Sequence, residues 1–433
     1  MYPKILKFLV LIILFIGCST KQPISFDLKP NTQIADLNLS QRAIMYISDN
    51  NDFGDSAFSG ELKREYLEKY FSVWRDDFIP PDKNDMFWGL VAKNGFGESK
   101  KPINNGFLDE LESNMQVDFY PSRKDKAIMV KSANVRVLPT EKPRFSTIDG
   151  YPFDRWQNSL IFAFTPVIIL HHDKTKEWVL IQSSFVSGWV KYDEVALINK
   201  DDVESFMQNS DFLMPNRDKI PLYFNNQFIE NARIGMLFES KENYIYGYYR
   251  NENGFAVKIP LVFDSNDFDI FPLNLNQINI ANIADSLNLE NYGWGGMYGN
   301  RDCSSFVRDV FMGVGIWLPR NSLAQVNHAK ISPYSQYMAL PDDNNEKIEM
   351  IKKYAKPFRT ILWLKGHIML YIGEVDNQIM VIHDVWGAKT TQGVEILGGI
   401  SITTLTPGIE KNENGDAPPT LLDRIKSMNI IIK

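Results

Sequence analysis

Residues 300–309 read NRDCSSFVRD, and the cysteine inside this stretch decides how the rest of the chain is taken. Cys303 is one of only two cysteines in 433 residues, and the other, Cys18, closes an apolar run at the N-terminus. After Cys303, the residues Phe306, Val307, Val310, Phe311 and Val314 fall on one helical face, and Gly313 and Gly315 mark an end. Asp302 is a good N-cap, so the pattern predicts a helix beginning at Cys303. Free amides in a first helical turn carry partial positive charge and favour thiolate over thiol. A reactive cysteine gains from that position, whereas a structural one sits more often among apolar residues in mid-helix.

A thiol nucleophile needs a proton shuttle, and the chain offers five histidines. His171 and His172 precede a turn and read as surface residues. His328 lies in LAQVNHAK, a second helix. His367 and His383 lie in LWLKGHIMLYIGEV and NQIMVIHDVWG, two strands joined at the turn residues Asp376-Asn377. In an antiparallel hairpin, facing residue numbers share a constant sum, so parity decides whether two side chains share a face. A tight two-residue loop at Asp376-Asn377 puts the two histidines on opposite faces. An odd-length loop or a bulge puts them together, and one of these is expected.

Length and composition bound the surroundings. The chain is long enough for three or four domains, and 44% apolar with 23% charged residues is ordinary globular composition. A net charge of −7 with no basic run after Lys7 argues against nucleic acid and against a polybasic membrane patch. No HExxH or CxxC arrangement is present, so neither a metal nor another cofactor is expected.

Along the chain, MYPKILKFLVLIILFIGCST has a basic start and a short apolar core, which reads as a signal peptide over residues 1–17. Residues 18–37, polar with two prolines, read as a tether. Residues 38–122 look mainly helical, with GELKREYLEKYFSVW at helical spacing, and form a packing domain. From residue 123 short alternating runs separated by turn signals indicate a small all-β barrel over 123–200 and a second over 201–277. The last unit spans 278–433.

Three resemblances follow. LFIGC resembles a bacterial lipobox, with Phe15 where leucine is usual, which implies lipidation of Cys18 and anchoring to a bacterial membrane facing the envelope. ANVRVLPT through Gly188-Trp189-Val190 resembles a bacterial SH3-like domain. DCSSFV, then GHIMLYIG, then His383 on the next strand, with YGWGG (292–296) upstream and LPRNSLAQ (318–325) downstream, resembles the NlpC family of cell-wall cysteine peptidases. That family implies an α+β, papain-like catalytic domain over 278–433. Two SH3-like barrels and a helical N-terminal domain recur before it in a branch of γ-D-glutamyl–diamino acid endopeptidases. Carried over, Cys303 is the nucleophile, His367 the base, His383 its orienting partner and Tyr292 an oxyanion donor. Asp302, Ser304, Trp294 and Ser322 line the substrate cleft, with Asp302 meeting the free amine of an N-terminal L-Ala. Tyr151, in YPFDRW, is a candidate for the closing wall. The resemblance implies peptidoglycan stem peptides or muropeptides as partners of a monomeric enzyme. It departs at Ser305, where glycine is usual, and in the long spacing from Cys303 to His367, which implies an insertion around 333–356. Two rival readings stand beside it: a catalytically inactive module that binds cell-wall peptide, and an acyltransferase on the same scaffold, which an apolar cleft would favour.

Overall fold

The computed structural model describes residues 34–48, 53–54, 56–91, 94–241, 243–288, 290–390, 393–407 and 418–431. The expected signal peptide, Cys18 and residues 19–33 of the expected tether lie outside them. Residues 34–37, also assigned to the tether, instead pack: Ile34 is buried, and Asp36 Oδ2 accepts from the Thr404 N–H at 2.7 Å. Among the described residues no helix is long and apolar enough to cross a membrane.

The helix Ser56–Tyr70 buries Leu62, Tyr66 and Tyr70 at four-residue spacing. It ends before the predicted Trp74, which follows in a 3-10 turn. The Trp74 indole donates to the carbonyls of Ala127 and Val167, both at 3.0 Å, on adjacent strands of the first barrel. The helical unit thus covers the outer face of that barrel, and this overturns one expectation. His171 is a core residue, not a surface one. Its strand, Pro166–His172, is buried on both faces, and its ring nitrogens meet Ser122 Oγ at 2.7 Å and the Met115 carbonyl at 2.9 Å.

The first barrel is a seven-stranded antiparallel sheet running from Asp125 to Leu197. Gly188 has φ +153°, and a Cβ there would stand 2.6 Å from the Arg136 carbonyl oxygen, so the strand carrying the fully buried Trp189 approaches its neighbour only as glycine allows. The second barrel combines a five-stranded sheet with the hairpin Ile220–Phe224 and Gln227–Ala232.

The last unit is a six-stranded antiparallel sheet in the order Ser335–Ala339, Ile425–Ile431, Thr360–Leu364, His367–Val375, Gln378–Thr390, Gly393–Thr404. Its central strands are buried on both faces. Ile368, Leu370, Ile372, Met380 and Ile382 pack with Phe306, Val307 and Val310 of the helix Cys303–Met312. Met369, Tyr371, Ile379 and Val381 pack with Ile351 of the helix Asn344–Tyr354. The segment 333–356 therefore supplies an edge strand and a covering helix.

The hairpin solves the parity problem by a bulge. Val375 pairs with Gln378 across a two-residue loop in which Asp376 and Asn377 both have positive φ, the geometry of the tight hairpin turn that matches strand twist. The register then shifts between Tyr371 and Gly373, so Leu370 faces Ile382. That one extra residue returns His367 and His383 to the same face.

Candidate active site

The helix Cys303–Met312 starts as the sequence predicts. Asp302 caps it, accepting from the Ser305 N–H at 3.0 Å, while Ser305 Oγ accepts from the Asp302 N–H at 2.8 Å. Ser305, where the resemblance leads one to expect glycine, is thus the second half of a reciprocal capping box. Asp302 is buried and fully engaged. Arg320 donates to both its oxygens, at 2.9 and 2.7 Å, Ser304 Oγ to one at 3.0 Å, and the Gly295 N–H to the other at 3.0 Å. Burial works to raise its pKa, but the Arg320 charge and these donors outweigh it and hold the carboxyl at about 2.

Cys303 is itself 8% exposed. Burial, then the Asp302 charge, pushes its thiol well above the ordinary value, while the Ile368 N–H acts the other way. The helix-start argument for a thiolate is overridden here, because burial of the sulfur, and after it the Asp302 charge, outweighs the helix amides. Both influences favour the neutral thiol over the thiolate. The Ile368 contact sets the sulfur beside the strand that begins with His367. The structure holds no hydrogen bond between Sγ and His367 themselves.

His367 Nε2 and His383 Nδ1 are 2.7 Å apart, and His383 Nε2 lies 3.2 Å from Thr403 Oγ1, which donates to the Thr404 carbonyl at 2.8 Å. These contacts allow one consistent polarity. Thr403 gives its proton to a carbonyl, so it accepts from His383 Nε2–H. His383 Nδ1 then accepts from His367 Nε2–H, and His367 Nδ1 is left as a free acceptor. Burial, then the Arg424 charge, lowers the His367 pKa to about 4, and burial drives His383 far below its usual value, so both imidazoles rest neutral. Asp384, on the opposite face from His383, is buried with no partner on either oxygen among the described residues. Burial, then the Asp302 charge, keeps it protonated.

Two lobes form the cleft, of about 400 and 460 Å³, and both are lined by Tyr292, Trp294 and Gly366. Cys303, Asp302, Ser304 and Ser322 line the first lobe, and His367 and His383 the second. Burial, then the Asp302 charge, keeps the Tyr292 phenol protonated well beyond its ordinary range, so it is a donor. The Cys303 N–H, first in its helix, has no acceptor among the described residues, as helix geometry requires. Trp294 donates Nε1–H to the Asp154 carbonyl at 2.8 Å, Phe153 meets it edge-on at 5.1 Å, and Arg155 lies 5.0 Å over its ring. Gly296 has φ +87°, and a Cβ on it would sit 2.3 Å from that of Leu160, so YGWGG docks the catalytic unit against the first barrel as only glycine can. Tyr151 is 58% exposed, lies on the His367 side and packs edge-on to Trp386 at 6.3 Å.

The structure therefore brings together every residue assigned to the site except Cys18, which lies outside the described residues. His328 is elsewhere, 5.1 Å from the Trp317 ring, and His171 and His172 belong to the first barrel. Thr403, Arg320, Trp386 and Arg424 were missed. Arg320 stands in the quoted LPRNSLAQ and Trp386 in the quoted NQIMVIHDVWG, whereas Thr403 and Arg424 lie outside every quoted stretch. Among the described residues no group of three or more His, Cys, Asp or Glu could hold a metal ion.

Residues 290–392 match the model of the NlpC/P60 family, and residues 7–120 that of the NLPC_P60 stabilising domain, N term. Residues 143–191 match an SH3 domain of SH3b1 type and 201–238 one of SH3b2 type. No curated protein matches the chain significantly. Among solved structures, it is similar to a protein described as a novel NlpC/P60 endopeptidase from Photobacterium damselae subsp. piscicida, at 23% identity and TM-score 0.78, over 91% of this chain and 97% of that one. That likeness shows a shared fold. An NlpC/P60 family protein from Bacillus cereus ATCC 10987 matches at 15% identity and TM-score 0.46, over 70% of this chain and 98% of that one.

Proposed function

Because residues 290–392 form an NlpC/P60 family domain, we propose that this chain is a cysteine peptidase hydrolysing the bond between γ-D-Glu and the diamino acid of peptidoglycan stem peptides. The observation that carries the chemistry is the polarised chain from Thr403 through His383 to His367, which leaves Nδ1 of His367 free to take a proton. Cys303 attacks as a neutral thiol. The S–C bond forms at the γ-carbonyl while the thiol proton passes to His367 Nδ1. In this reading the Cys303 N–H and the Tyr292 hydroxyl hold the oxyanion. The C–N bond then breaks, His367 returns its proton to the leaving amine, and a thioester remains. Water attacks it with His367 again as base, releasing the γ-glutamyl product and the thiol.

Asp302, Ser304 and Arg320 at the Cys303 end offer a peptide polar partners that an acyl chain could not use. An L-Ala amine would meet Asp302 as a carboxylate already shared with Arg320. Export, with Cys18 lipidated, belongs to this reading and rests on the leader sequence. Palmitate labelling lost in Cys18→Ser tests it.

Mass spectrometry of defined tri- and tetrapeptides tests the reaction. Wild type should release L-Ala-γ-D-Glu and Cys303→Ala should not, and equal release by both, or by neither, sinks the proposal. N-acetylation of the L-Ala should lower kcat/KM; an unchanged rate removes the free amine from the reading.

A further inference from the structure

Past His367 the second lobe runs toward residues that the family match does not reach. Arg424 ends the short helix Leu421–Arg424, is half-buried, and lines this lobe together with His367. Among the described residues no carboxylate or carbonyl accepts from its guanidinium. Lys389, exposed on the strand Gln378–Thr390, lines the same lobe and is likewise without an ionic partner there. The acid lining this lobe, Asp149, is held by Lys100 Nζ at 2.5 Å. Among the described residues the lobe therefore presents open positive charge.

A cation beside the base is a handicap to catalysis by itself. It disfavours the imidazolium that must form when His367 takes the thiol proton, and Arg424 already acts on His367 in that sense. The handicap disappears if an anion settles on Arg424 when substrate binds. The groups to be bound on this side, beyond the base, belong to the leaving amine.

We propose that Arg424 receives a carboxylate carried by the residue on the leaving side of the scissile bond, so that diaminopimelate, with a carboxylate on its second stereocentre, is preferred over lysine, which has none. This rests on the peptidase reading and deepens it. Guanidinium offers two parallel N–H donors to a carboxylate, and the same guanidinium with Lys389 repels the lone ammonium of lysine. Discrimination thus has an attractive and a repulsive part.

The test compares kcat/KM for L-Ala-γ-D-Glu-diaminopimelate and L-Ala-γ-D-Glu-lysine in wild type, Arg424→Gln and Arg424→Lys. A charge-assisted hydrogen bond predicts roughly tenfold or greater preference for diaminopimelate in wild type. The ratio should fall to near one in Arg424→Gln and keep part of its value in Arg424→Lys. A wild-type ratio near one overturns the inference, as does a ratio that Arg424→Gln leaves intact. If that variant does not fold, the wild-type ratio decides by itself. Cleavage of both peptides without discrimination sinks this inference alone, whereas cleavage of neither sinks the peptidase reading and this with it.

Discussion

The two ends of the cleft treat charge in opposite ways. Beside the sulfur, Asp302 and Arg320 answer one another, with Ser304, Ser305, Gly295 and Ser159 taking further hydrogen bonds from or to the pair. Beyond His367, Arg424 and Lys389 face the lobe with no ionic partner among the described residues. A closed buried pair fixes geometry: it holds the helix cap, and through Ser159 it ties the catalytic unit to the first barrel. An open, partly solvated cation contributes little to folding and stays available to a ligand. One end is built for position and the other for recognition.

Breaking the closed pair should have the largest effect. Arg320→Met leaves Asp302 buried and uncompensated, and loss of one partner of a buried pair costs about 3–5 kcal/mol. Thermal unfolding of the purified protein should move down by several degrees, and peptide cleavage should be lost. Adding Asp302→Leu should recover much of the stability and none of the activity. An Arg320→Met protein as stable as wild type would break the contrast. The pair also sets a pH dependence. The folded carboxyl, at about 2, lies below its ordinary value near 4, so its contribution is complete above that ordinary value and is lost as pH falls through about 2.

The tautomer chain sits between these extremes. Thr403→Val removes the acceptor of His383 Nε2–H inside a buried site, where an unmet donor costs about 1–3 kcal/mol. His383 is then free to adopt the other tautomer, which would present a donor to His367. We expect kcat to fall roughly tenfold with KM little changed, and Thr403→Ser to restore most of it. A KM effect of the same size, or no rescue by serine, would mean that Thr403 only packs.

Much of the Cys303 end was legible because its logic is local. An N-cap, a helical stripe and a following glycine are neighbours in sequence. The aspartate and serine of the capping box are both in that stretch, although the sequence shows Ser305 only as a departure from the usual glycine. The His367–His383 pairing was legible as a parity constraint, while its resolution was not. A bulge at Ile372 leaves no mark in an unbroken apolar run. Long-range partnerships escaped. Arg320 stands 18 residues from the carboxylate it neutralises, and Thr403 lies on the next strand, placed by the pairing of His383 with Ser401. Nothing in HHD signals that the outer face of its strand is covered by the N-terminal helices, so His171 read as a surface residue. The neutral thiol escaped for a related reason: a helix start argues for a thiolate only until the burial of the sulfur, and after it the capping group's own charge, is counted.

The smallest effect sharpens the open end. His367 rests near 4 because burial lowers it first and Arg424 second. The acid limb of kcat/KM reports the free enzyme's base, so activity should rise through about pH 4 and not through the usual histidine range. Arg424→Gln removes the lesser cause only. It should move that limb upward, by less than about one pH unit, since the cation is partly solvated and each unit is worth 1.36 kcal/mol. Raising the salt concentration should move the wild-type limb the same way and narrow the gap between the two proteins, because screening acts on the open charge and not on burial. A salt-insensitive limb that Arg424→Gln leaves in place would mean that burial alone sets His367, and that Arg424 stands too far from the base to link recognition of the leaving group to its proton transfer.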